Sequence, residues 1–392
     1  MAASPAGYLP DRPRPAWFGA ALATLFLLTI VIGFAGSFRT PRAATNVFEK
    51  RTTEPLPPMP DSRMALREYP ARFERFFDDR FGLRATLVNL DHWVKAIVFG
   101  VSPVSKVLIG KSGWLYFRGE DAKAFDRWYR GNETVADATL IALRDELLRR
   151  QDFLARRGIA FLVVVIPEKY SVYPEFLPDW ATTRIAQRTP LDRLGAELAR
   201  YPQLQFIDLR QPLRAAKGGE RLYYQTDSHW NYLGATIGYQ VLMSRVALAL
   251  PGLAVASVTR PPYVPGVDYY SGDLAQMLGL ERQFRETDIA PLAKILGTPE
   301  SRCAKQDPAA STPVVEAYVY RCPNPPRFTA LVYRDSMAIP LIPMLAENFS
   351  RTTFVTSAQL DTAQVERLAP DIVIEELVER ALPEPVAVPM PR

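Results

Sequence analysis

The sequence contains no concentrated run of lysine and arginine, and its formal net charge is only +5 over 392 residues. A groove that binds nucleic acid needs a clustered positive surface, so the composition predicts no nucleic-acid partner. No repeat with the period of a solenoid is visible either. Because 48% of the residues are apolar, the chain can bury a sizeable core, and we expect one large domain with appendages.

Charge is entirely missing from one long segment near the N-terminus, Ala16 to Phe38. This segment can span a hydrocarbon core of about 30 Å as a helix, and it is longer than the apolar region of a signal peptide. We therefore predict an uncleaved transmembrane anchor at 16–38, with cleavage near residues 35–37 as the alternative. We expect residues 1–15 to be a cytoplasmic tail and the remainder to be periplasmic, because long domains translocate largely regardless of flanking charge.

Cysteine is also scarce, since Cys303 and Cys322 are the whole complement. In an oxidising compartment the two thiols could close a loop of roughly 20 residues, which would stabilise the fold by about 3 kcal/mol in the chain-entropy model. The alternative is two unrelated thiols. The spacing and the predicted anchor together favour a disulfide bond.

The segments after the anchor differ in composition. Residues 39–60 are rich in proline and predict an extended stem. Residues 61–105 predict a helical neck, mostly helical as far as residue 99, because apolar side chains recur there at helical spacing. His92 lies in this neck, and we interpret it as structural rather than catalytic. We expect the functional domain to occupy residues 106–392.

Alternating helical and apolar patterns predict an α/β fold for this domain. A helix over 136–157 ends at Gly158 and is followed by the apolar run at 159–166, which is typical of a fully buried strand. Further strands are predicted, mostly with helices between them, at 205–209, 328–333, 352–356 and 371–375. This order predicts a doubly wound, mostly parallel sheet with helices on both faces.

The scarcity of histidine draws attention to His229, one of only two in the chain. A neutral imidazole near pH 7 is the usual general base, and Asp227 can fix its orientation. Ser336 follows the predicted strand at 328–333, where a doubly wound protein places reactive groups. The three residues would form an Asp-His-Ser relay that needs neither a metal nor a cofactor, and we predict neither. The alternative is a histidine packed at a helix start and a serine in a turn.

Two neighbours of these residues predict local structure. Asn231 is placed to cap a helix over 232–250. Asp335, beside the serine, is interpreted as a turn or cap residue rather than as a participant in the chemistry.

An ordered set of motifs over about residues 65–380 resembles the alginate O-acetyltransferase family (AlgJ/AlgX-like), periplasmic proteins with SGNH-hydrolase-like folds. The motifs are DRFGLR at 79–84, GWLYF at 113–117, IPEKYSVYP at 166–174, TDSHWN at 226–231, SGDL at 271–274, RDS at 334–336 and ER at 379–380. The resemblance implies a flavodoxin-like sheet with a circularly permuted motif order, because the serine follows the Asp-x-His pair. Arg334 replaces the glycine of the usual Gly-Asp-Ser motif.

By this resemblance Asp227, His229 and Ser336 match the catalytic triad. The backbone N–H of Ser336 would be the first oxyanion donor. The second would follow the strand in 370–380, where no asparagine stands and the polar side chains are Glu375, Glu379 and Arg380; we select Arg380. We add three candidate substrate contacts, Tyr173, Trp230 and Gly272. Tyr173, Tyr270 and Trp230 could stack on sugar rings, and core packing is the alternative for each of them.

The resemblance also implies partners and a location. The acceptor would be an exported polysaccharide, alginate-like or another exopolysaccharide, and the acetyl donor would be a membrane-bound O-acyltransferase of a separate chain. The protein would then be a single-pass inner-membrane protein with its catalytic domain in the periplasm. An esterase that releases acetate through the same triad is the first alternative, and a non-catalytic scaffold of a secretion complex is the second.

Overall fold

The computed structural model describes residues 16–37, 55–130, 136–183, 186, 188–257, 270–286, 303–306, 317–322 and 327–382. The chain forms two compact units, residues 1–99 and 100–392. The predicted tail at 1–15 and most of the predicted stem at 39–60 lie outside the described residues.

The first unit consists of helices. They are α1 (Ala16–Ser37), α2 (Arg63–Arg80) and α3 (Arg84–Trp93), the last continued by a π-helical turn at Val94–Val98. Within α1, Trp17–Gly36 is long and apolar enough to cross a membrane, with a mean hydropathy of 2.3. The neck is helical as predicted but is interrupted between α2 and α3, where the Gly82 N–H donates to the Gly33 carbonyl of α1 at 3.0 Å.

The second unit alternates strands and helices. Its strands are β1 (Val107–Ile109), β2 (Leu115–Phe117), β3 (Ala160–Ile166), β4 (Gln205–Asp208), β5 (Ala304–Gln306), β6 (Ala317–Arg321), β7 (Thr329–Arg334), β8 (Arg351–Thr356) and β9 (Ile372–Val378). Its helices are α4 (Asp137–Ala155), α5 (Lys169–Val172), α6 (Asp179–Thr182), α7 (Pro190–Leu198), α8 (Arg210–Ala216), α9 (Tyr232–Ala249), α10 (Asp273–Leu278), α11 (Ile342–Ala346) and α12 (Thr362–Leu368). Short 3₁₀-helical and π-helical turns lie at Lys111–Gly113, Asp126–Arg130, Pro174–Phe176, Ser336–Leu341 and Glu379–Ala381.

A mixed sheet organises this unit, with the strand order β4-β3-β9-β7-β8-β6-β5. The five strands from β4 to β8 in this order pair in parallel, whereas β6 and β5 add an antiparallel edge. The predicted mostly parallel sheet is therefore confirmed. Strands β5 and β6 were not predicted, because both adjoin the proline-rich sequence around 308–326 and proline is depleted in strands. Strands β1 and β2 form a separate antiparallel pair.

Both faces of the sheet are covered, as a doubly wound fold requires. Successive side chains of β3 point to opposite faces, so Val164 packs in one apolar cluster and Val163 in the other. The first cluster includes Leu242 of α9, and the second includes Leu147 of α4 and Leu194 of α7. Continuous apolar sequence in β3 thus reflects burial on two sides.

Cys303 and Cys322 are joined in a disulfide bond. Cys303 immediately precedes β5 and Cys322 immediately follows β6, so the bond closes the open end of this antiparallel pair. The prediction of a disulfide from two isolated cysteines is confirmed.

Candidate active site

Three neighbouring parallel strands deliver polar residues to one edge of the sheet. Lys169 follows β3, Arg380 follows β9 and Ser336 follows β7, and these strands lie side by side in the order β3-β9-β7. Because the carboxyl ends of parallel strands share an edge, residues distant in sequence meet there.

The nucleophile candidate lies in a turn that Asp335 holds in place. Asp335 caps the 3₁₀-helical turn that begins at Ser336, and its carboxylate accepts the Met337 N–H at 2.7 Å. Its second oxygen accepts the Val378 N–H of β9 at 3.0 Å, while its own N–H donates to Glu376 at 2.9 Å. The structure thus places Asp335 as a capping residue, and the turn that carries Ser336 is tied to the neighbouring strand.

The histidine loop is fixed from the helix that follows it. Asn231 caps α9, with its side-chain oxygen accepting the N–H groups of Leu233 at 3.0 Å and Gly234 at 3.1 Å, as the sequence predicted. Across the loop, the Tyr224 N–H donates to the His229 carbonyl at 3.2 Å. The backbone around His229 is therefore closed into a turn immediately before the helix.

The structure brings the three predicted relay residues together. His229 Nε2 lies 3.0 Å from Ser336 Oγ, and His229 Nδ1 lies 2.7 Å from Asp227 Oδ1. The same carboxylate oxygen accepts the backbone N–H of His229 at 2.9 Å. Asp227 is buried, whereas 26% of the histidine side chain remains exposed. The relay can therefore reach a substrate from solvent while its carboxylate is shielded.

Electrostatics favour an ionised Asp227 beside a basic His229. Burial alone raises the Asp227 pKa, but hydrogen bonds from His229 and Tyr270 hold that pKa well below its usual range. Burial alone lowers the His229 pKa, but the hydrogen bond to Asp227 and the charges of Asp227 and Asp273 raise it above its ordinary value. A raised pKa makes the imidazole a stronger proton acceptor.

Two further residues complete the surroundings of Asp227: Tyr270, considered from sequence only for sugar stacking or core packing, and Asp273, which was not considered. Its second oxygen, Oδ2, accepts the Tyr270 hydroxyl at 2.5 Å and the Asp273 N–H at 3.0 Å. The Asp273 carboxylate in turn accepts the Ser228 hydroxyl at 2.5 Å and the Ser228 N–H at 2.7 Å. The SGDL motif was the available signal for Asp273, and Tyr270 precedes it directly.

A buried lysine supports the loop that carries Asp227 through its backbone carbonyls. Lys169 Nζ donates to three backbone carbonyls, those of Tyr224 at 3.0 Å, Gln225 at 3.1 Å and Asp227 at 2.6 Å. Burial lowers its pKa to about 8, although nearby carboxylates, Glu286 first, oppose this fall. An ammonium group has three protons, so it can satisfy all three carbonyls at once.

Glu286 holds the loop through its amides. Its carboxylate accepts the Gln225 N–H at 2.8 Å, and both the N–H and the hydroxyl of Thr226 at 2.6 Å. Lys169 and Glu286 therefore fix the carbonyl and amide groups of one short segment. Sequence reasoning missed both residues, and the IPEKYSVYP motif was the available signal for the lysine.

One group of side chains in the described residues could offer ligands to a metal ion. Ligand atoms of Asp227, His229 and Asp273 all lie within 4.8 Å of one another. In the hydrogen-bonded arrangement, however, His229 Nδ1 is directed at Asp227 and Nε2 at Ser336. Both ring nitrogens thus have partners within the relay, and the arrangement suits proton transfer.

Arg380 lies beside the triad and is paired. Its guanidinium forms an ion pair with Glu168 and lies over the Phe117 ring, 5.0 Å from the centroid. About 20% of its side chain is exposed, and its charge opposes the rise of the His229 pKa. Of the other two polar residues, Glu375 pairs with Arg150 and Glu379 accepts the Glu168 N–H at 2.9 Å. Arg380 is the one cation of the three, whereas Glu375 and Glu379 carry carboxyl groups.

The remaining three candidates are interior residues, which corrects their assignment as substrate contacts. Trp230 is fully buried and its indole N–H donates to the Met337 carbonyl at 2.7 Å. Tyr173 is buried and its hydroxyl accepts the Leu222 N–H at 3.0 Å. Gly272 packs so closely on Asp227 that a Cβ could not fit, and its N–H donates to Thr226.

A mostly parallel α/β sheet that carries a Ser-His-Asp relay at the carboxyl end of a strand is the arrangement of hydrolase-like enzymes that move acyl groups through serine. Residues 107–309, just over half of the chain, match the family described as the SGNH hydrolase-like domain of the acetyltransferase AlgX. The chain belongs to this family of SGNH hydrolase-like acetyltransferases, which confirms the resemblance.

Individual relatives agree with this assignment. Over 323 residues the chain is 27% identical to the probable alginate O-acetylase AlgJ of Azotobacter vinelandii, with coverage of 79% of this chain and 78% of the relative. The AlgJ protein of Pseudomonas syringae pv. tomato is 28% identical over 217 residues, 54% of this chain and 51% of that relative. That match therefore spans about half of the Pseudomonas protein.

A solved structure is also similar. The O-acetyltransferase domain of Pseudomonas putida AlgJ is 20% identical, covers 71% of this chain and 92% of its own, and has a TM-score of 0.44.

Proposed function

We propose that this protein O-acetylates an exported polysaccharide through an acetyl-enzyme intermediate on Ser336. The observation that carries the proposal is the continuous hydrogen-bond relay from Asp227 through His229 to the serine hydroxyl. Membership of the acetyltransferase family supports transfer rather than hydrolysis alone. The AlgJ relatives are named probable alginate O-acetylases, which supports an alginate-like acceptor.

In the first half-reaction, Ser336 Oγ attacks the carbonyl carbon of the donor acetyl group. His229 Nε2 takes the hydroxyl proton as the new C–O bond forms, and Asp227 stabilises the resulting imidazolium through Nδ1–H. The tetrahedral intermediate collapses as the leaving group departs with the proton from Nε2. The products are acetyl-Ser336 and the protonated leaving group.

In the second half-reaction, a sugar hydroxyl attacks the acetyl-serine. His229 again takes the proton and then returns it to Ser336 Oγ as the serine leaves. The products are an O-acetylated sugar and the free enzyme. Water in place of the sugar hydroxyl would give acetate, so exclusion of water from the acetyl-enzyme separates transfer from hydrolysis.

We assign the oxyanion to the backbone N–H of Ser336 with Arg380 as the second donor. Ser336 begins its helical turn, and Arg380 lies after the adjacent strand β9 with a partly exposed cationic side chain. Loss of one oxyanion donor typically costs about 10²–10³ in rate. Arg380→Met should therefore lower kcat in this range.

An exported acceptor requires the catalytic unit to lie outside the cytoplasm. We propose that α1 anchors the chain in the inner membrane as a single span, with the catalytic unit in the periplasm; the apolar length of Trp17–Gly36 and the disulfide bond support this. A membrane-bound O-acyltransferase of a separate chain is the proposed acetyl donor. A reporter enzyme that functions only after export should be active when it is fused after residue 60. Activity of a second reporter, one that functions only in the cytoplasm, at the same position would contradict the topology.

The decisive assay supplies a chromogenic acetyl ester to the full-length protein, with and without an alginate oligosaccharide. Acetylated oligosaccharide, detected by mass spectrometry, is the expected product. Release of acetate with no modified acceptor would favour the esterase alternative. If Ser336→Ala stays folded and releases the chromophore as fast as the unchanged protein, the relay is not catalytic.

A further inference from the structure

The segment that follows the predicted membrane anchor exposes a continuous apolar face. In α3 and its π-helical continuation, apolar residues recur every three or four positions, a spacing that aligns them along one side of a helix. The exposed members are Leu87, Leu90, Trp93, Ile97 and Val98, with exposed fractions of 39% to 57%. Ala96 is buried on another side of the helix. No residue of α3 is buried, so its apolar side is left exposed within this unit.

Contacts with α1 show what lies beside the start of α3. The Gly82 N–H donates to the Gly33 carbonyl at 3.0 Å, and the Phe77 ring lies 5.9 Å from the Phe34 ring. A Cβ on Gly36 would come within 2.9 Å of Gly82 Cα, so these two backbones touch. The turn between α2 and α3 therefore packs on the last part of the apolar helix.

The position of this contact along α1 fixes its depth. Gly33 and Gly36 both belong to the stretch Trp17–Gly36 that is long enough to span a bilayer. A helix rises 1.5 Å per residue, so Gly33 lies only about 5 Å inside the end of that stretch. A helix that starts at Arg84, two residues after Gly82, therefore starts at the boundary between hydrocarbon and headgroups.

We propose that residues 84–98 form an interfacial helix that lies in the headgroup region of the bilayer that α1 spans, with its apolar face buried in lipid. The inference rests on the proposed membrane anchor. The composition of the helix fits an interfacial position, because tryptophan, present here as Trp93, is enriched at membrane interfaces. The Asp91–Lys95 ion pair, 2.8 Å long and about half exposed, keeps charge on the side of the helix that remains in water.

A fluorescent label sensitive to polarity and depth tests this placement in the full-length chain. Because Cys303 and Cys322 are bonded to each other, one introduced cysteine can be labelled selectively. The probe position is Leu90→Cys, the matched control on a polar position of the same helix is Asn89→Cys, and the control inside the span is Ile30→Cys. Each labelled protein is reconstituted into vesicles of phosphatidylcholine and phosphatidylglycerol that carry quenchers at known depths.

The expected result is blue-shifted emission at position 90 that shallow lipid quenchers reduce, with weaker quenching at position 89. Position 30 should respond to deep quenchers. If position 30 is quenched and position 90 behaves like position 89, the interfacial helix is refuted and the anchor stands. Emission at position 90 that is blue-shifted but unaffected by lipid quenchers would mean a protein partner or a second copy covers the face, which also overturns the proposal. Absence of quenching at position 30 would refute the anchor itself.

Discussion

Tyr270 donates its hydroxyl to Asp227 Oδ2 across 2.5 Å, on the carboxylate oxygen that does not contact the His229 ring. The other oxygen accepts both N–H groups of His229. Both carboxylate oxygens are thus committed, and the plane of the carboxylate is fixed relative to the imidazole. The geometry needed to orient a general base is therefore present before any substrate binds.

This arrangement predicts the pH dependence of the reaction. His229 accepts a proton only when neutral, and its pKa is raised above its ordinary value of about 6.5, so kcat/KM should fall as pH drops through that raised value. Asp227→Asn removes the hydrogen-bonded charge that raises the pKa, so the acid limb should move to lower pH. The rate should also fall, by up to about 10⁴-fold, because an amide favours the wrong tautomer.

Asp273→Asn is the matched comparison for the pH dependence of kcat/KM in Asp227→Asn. Its carboxylate lies 3.8 Å from His229 Nδ1 and also raises the pKa of the ring, but without a direct hydrogen bond. The acid limb should move in the same direction by less. An unchanged limb in Asp227→Asn would show that this carboxylate does not control the base.

The nucleophile is tested by deleting one oxygen. Ser336→Ala should lower kcat by about 10³-fold or more, and His229→Ala should be comparably inactive, because residues of a triad act as a unit. Ester turnover and a thermal unfolding curve measured on the same samples separate loss of chemistry from loss of fold.

Two control variants are available in the chain. Ser357 follows β8 as Ser336 follows β7, and its hydroxyl donates only to its own loop at Gln359 among the described contacts. Ser357→Ala should therefore retain activity, as should His92→Ala if that histidine is structural. A serine at position 357 that mattered as much as Ser336 would move the assignment away from the relay.

Lys169 provides a test of support for the histidine loop. Lys169→Met keeps the length of the side chain but leaves three carbonyls, two of them in buried contacts, without their donor, so kcat should fall while the protein still folds. Because burial lowers the pKa of this lysine to about 8, the unchanged enzyme should also lose activity as pH rises above that value. Lys169→Met should lack this alkaline decline.

Lys217→Met is the control for this lysine. Its ammonium donates to one backbone carbonyl, that of Val172 at 2.9 Å, and pairs with Glu175 at a partly exposed site. It should preserve both kcat and the alkaline limb. A full alkaline limb in Lys169→Met would assign that limb to another group, such as one of the carboxylates or tyrosines near the site.

The disulfide bond should contribute to stability rather than to catalysis. Replacing Cys303 and Cys322 together by serine should lower the free energy of unfolding by about 3 kcal/mol, since the bond closes a loop between cysteines that are 19 positions apart in sequence. Urea denaturation measures the change. Reductant should shift the midpoint of the unchanged protein and leave that of the double variant in place; equal sensitivity of both would argue against the bond.

Much of the fold is determined by local sequence. The apolar run of β3 is buried on both faces, and a run of that kind forms a strand wherever helices cover both sides of the sheet. Asn231 caps α9 because its short side chain reaches the first free N–H groups of the helix. The sequence also predicted local settings for these residues, since Asp227 and His229 precede the capping residue Asn231 and Ser336 follows a strand; their catalytic role stays a prediction.

Tertiary structure alone decided which partners these residues have. Lys169 contacts carbonyls more than fifty residues away, and Tyr270 reaches Asp227 across forty-three. Trp230 and Tyr173 were candidates for sugar contacts, yet both are core residues. Apolar periodicity indicates which face of a helix or strand is buried. It carries no information on which groups, distant in sequence, share an edge of the sheet. The Lys169 contacts arise only when β3 takes its place in the sheet and its carboxyl end meets the histidine loop, because buried carbonyls must then find a donor.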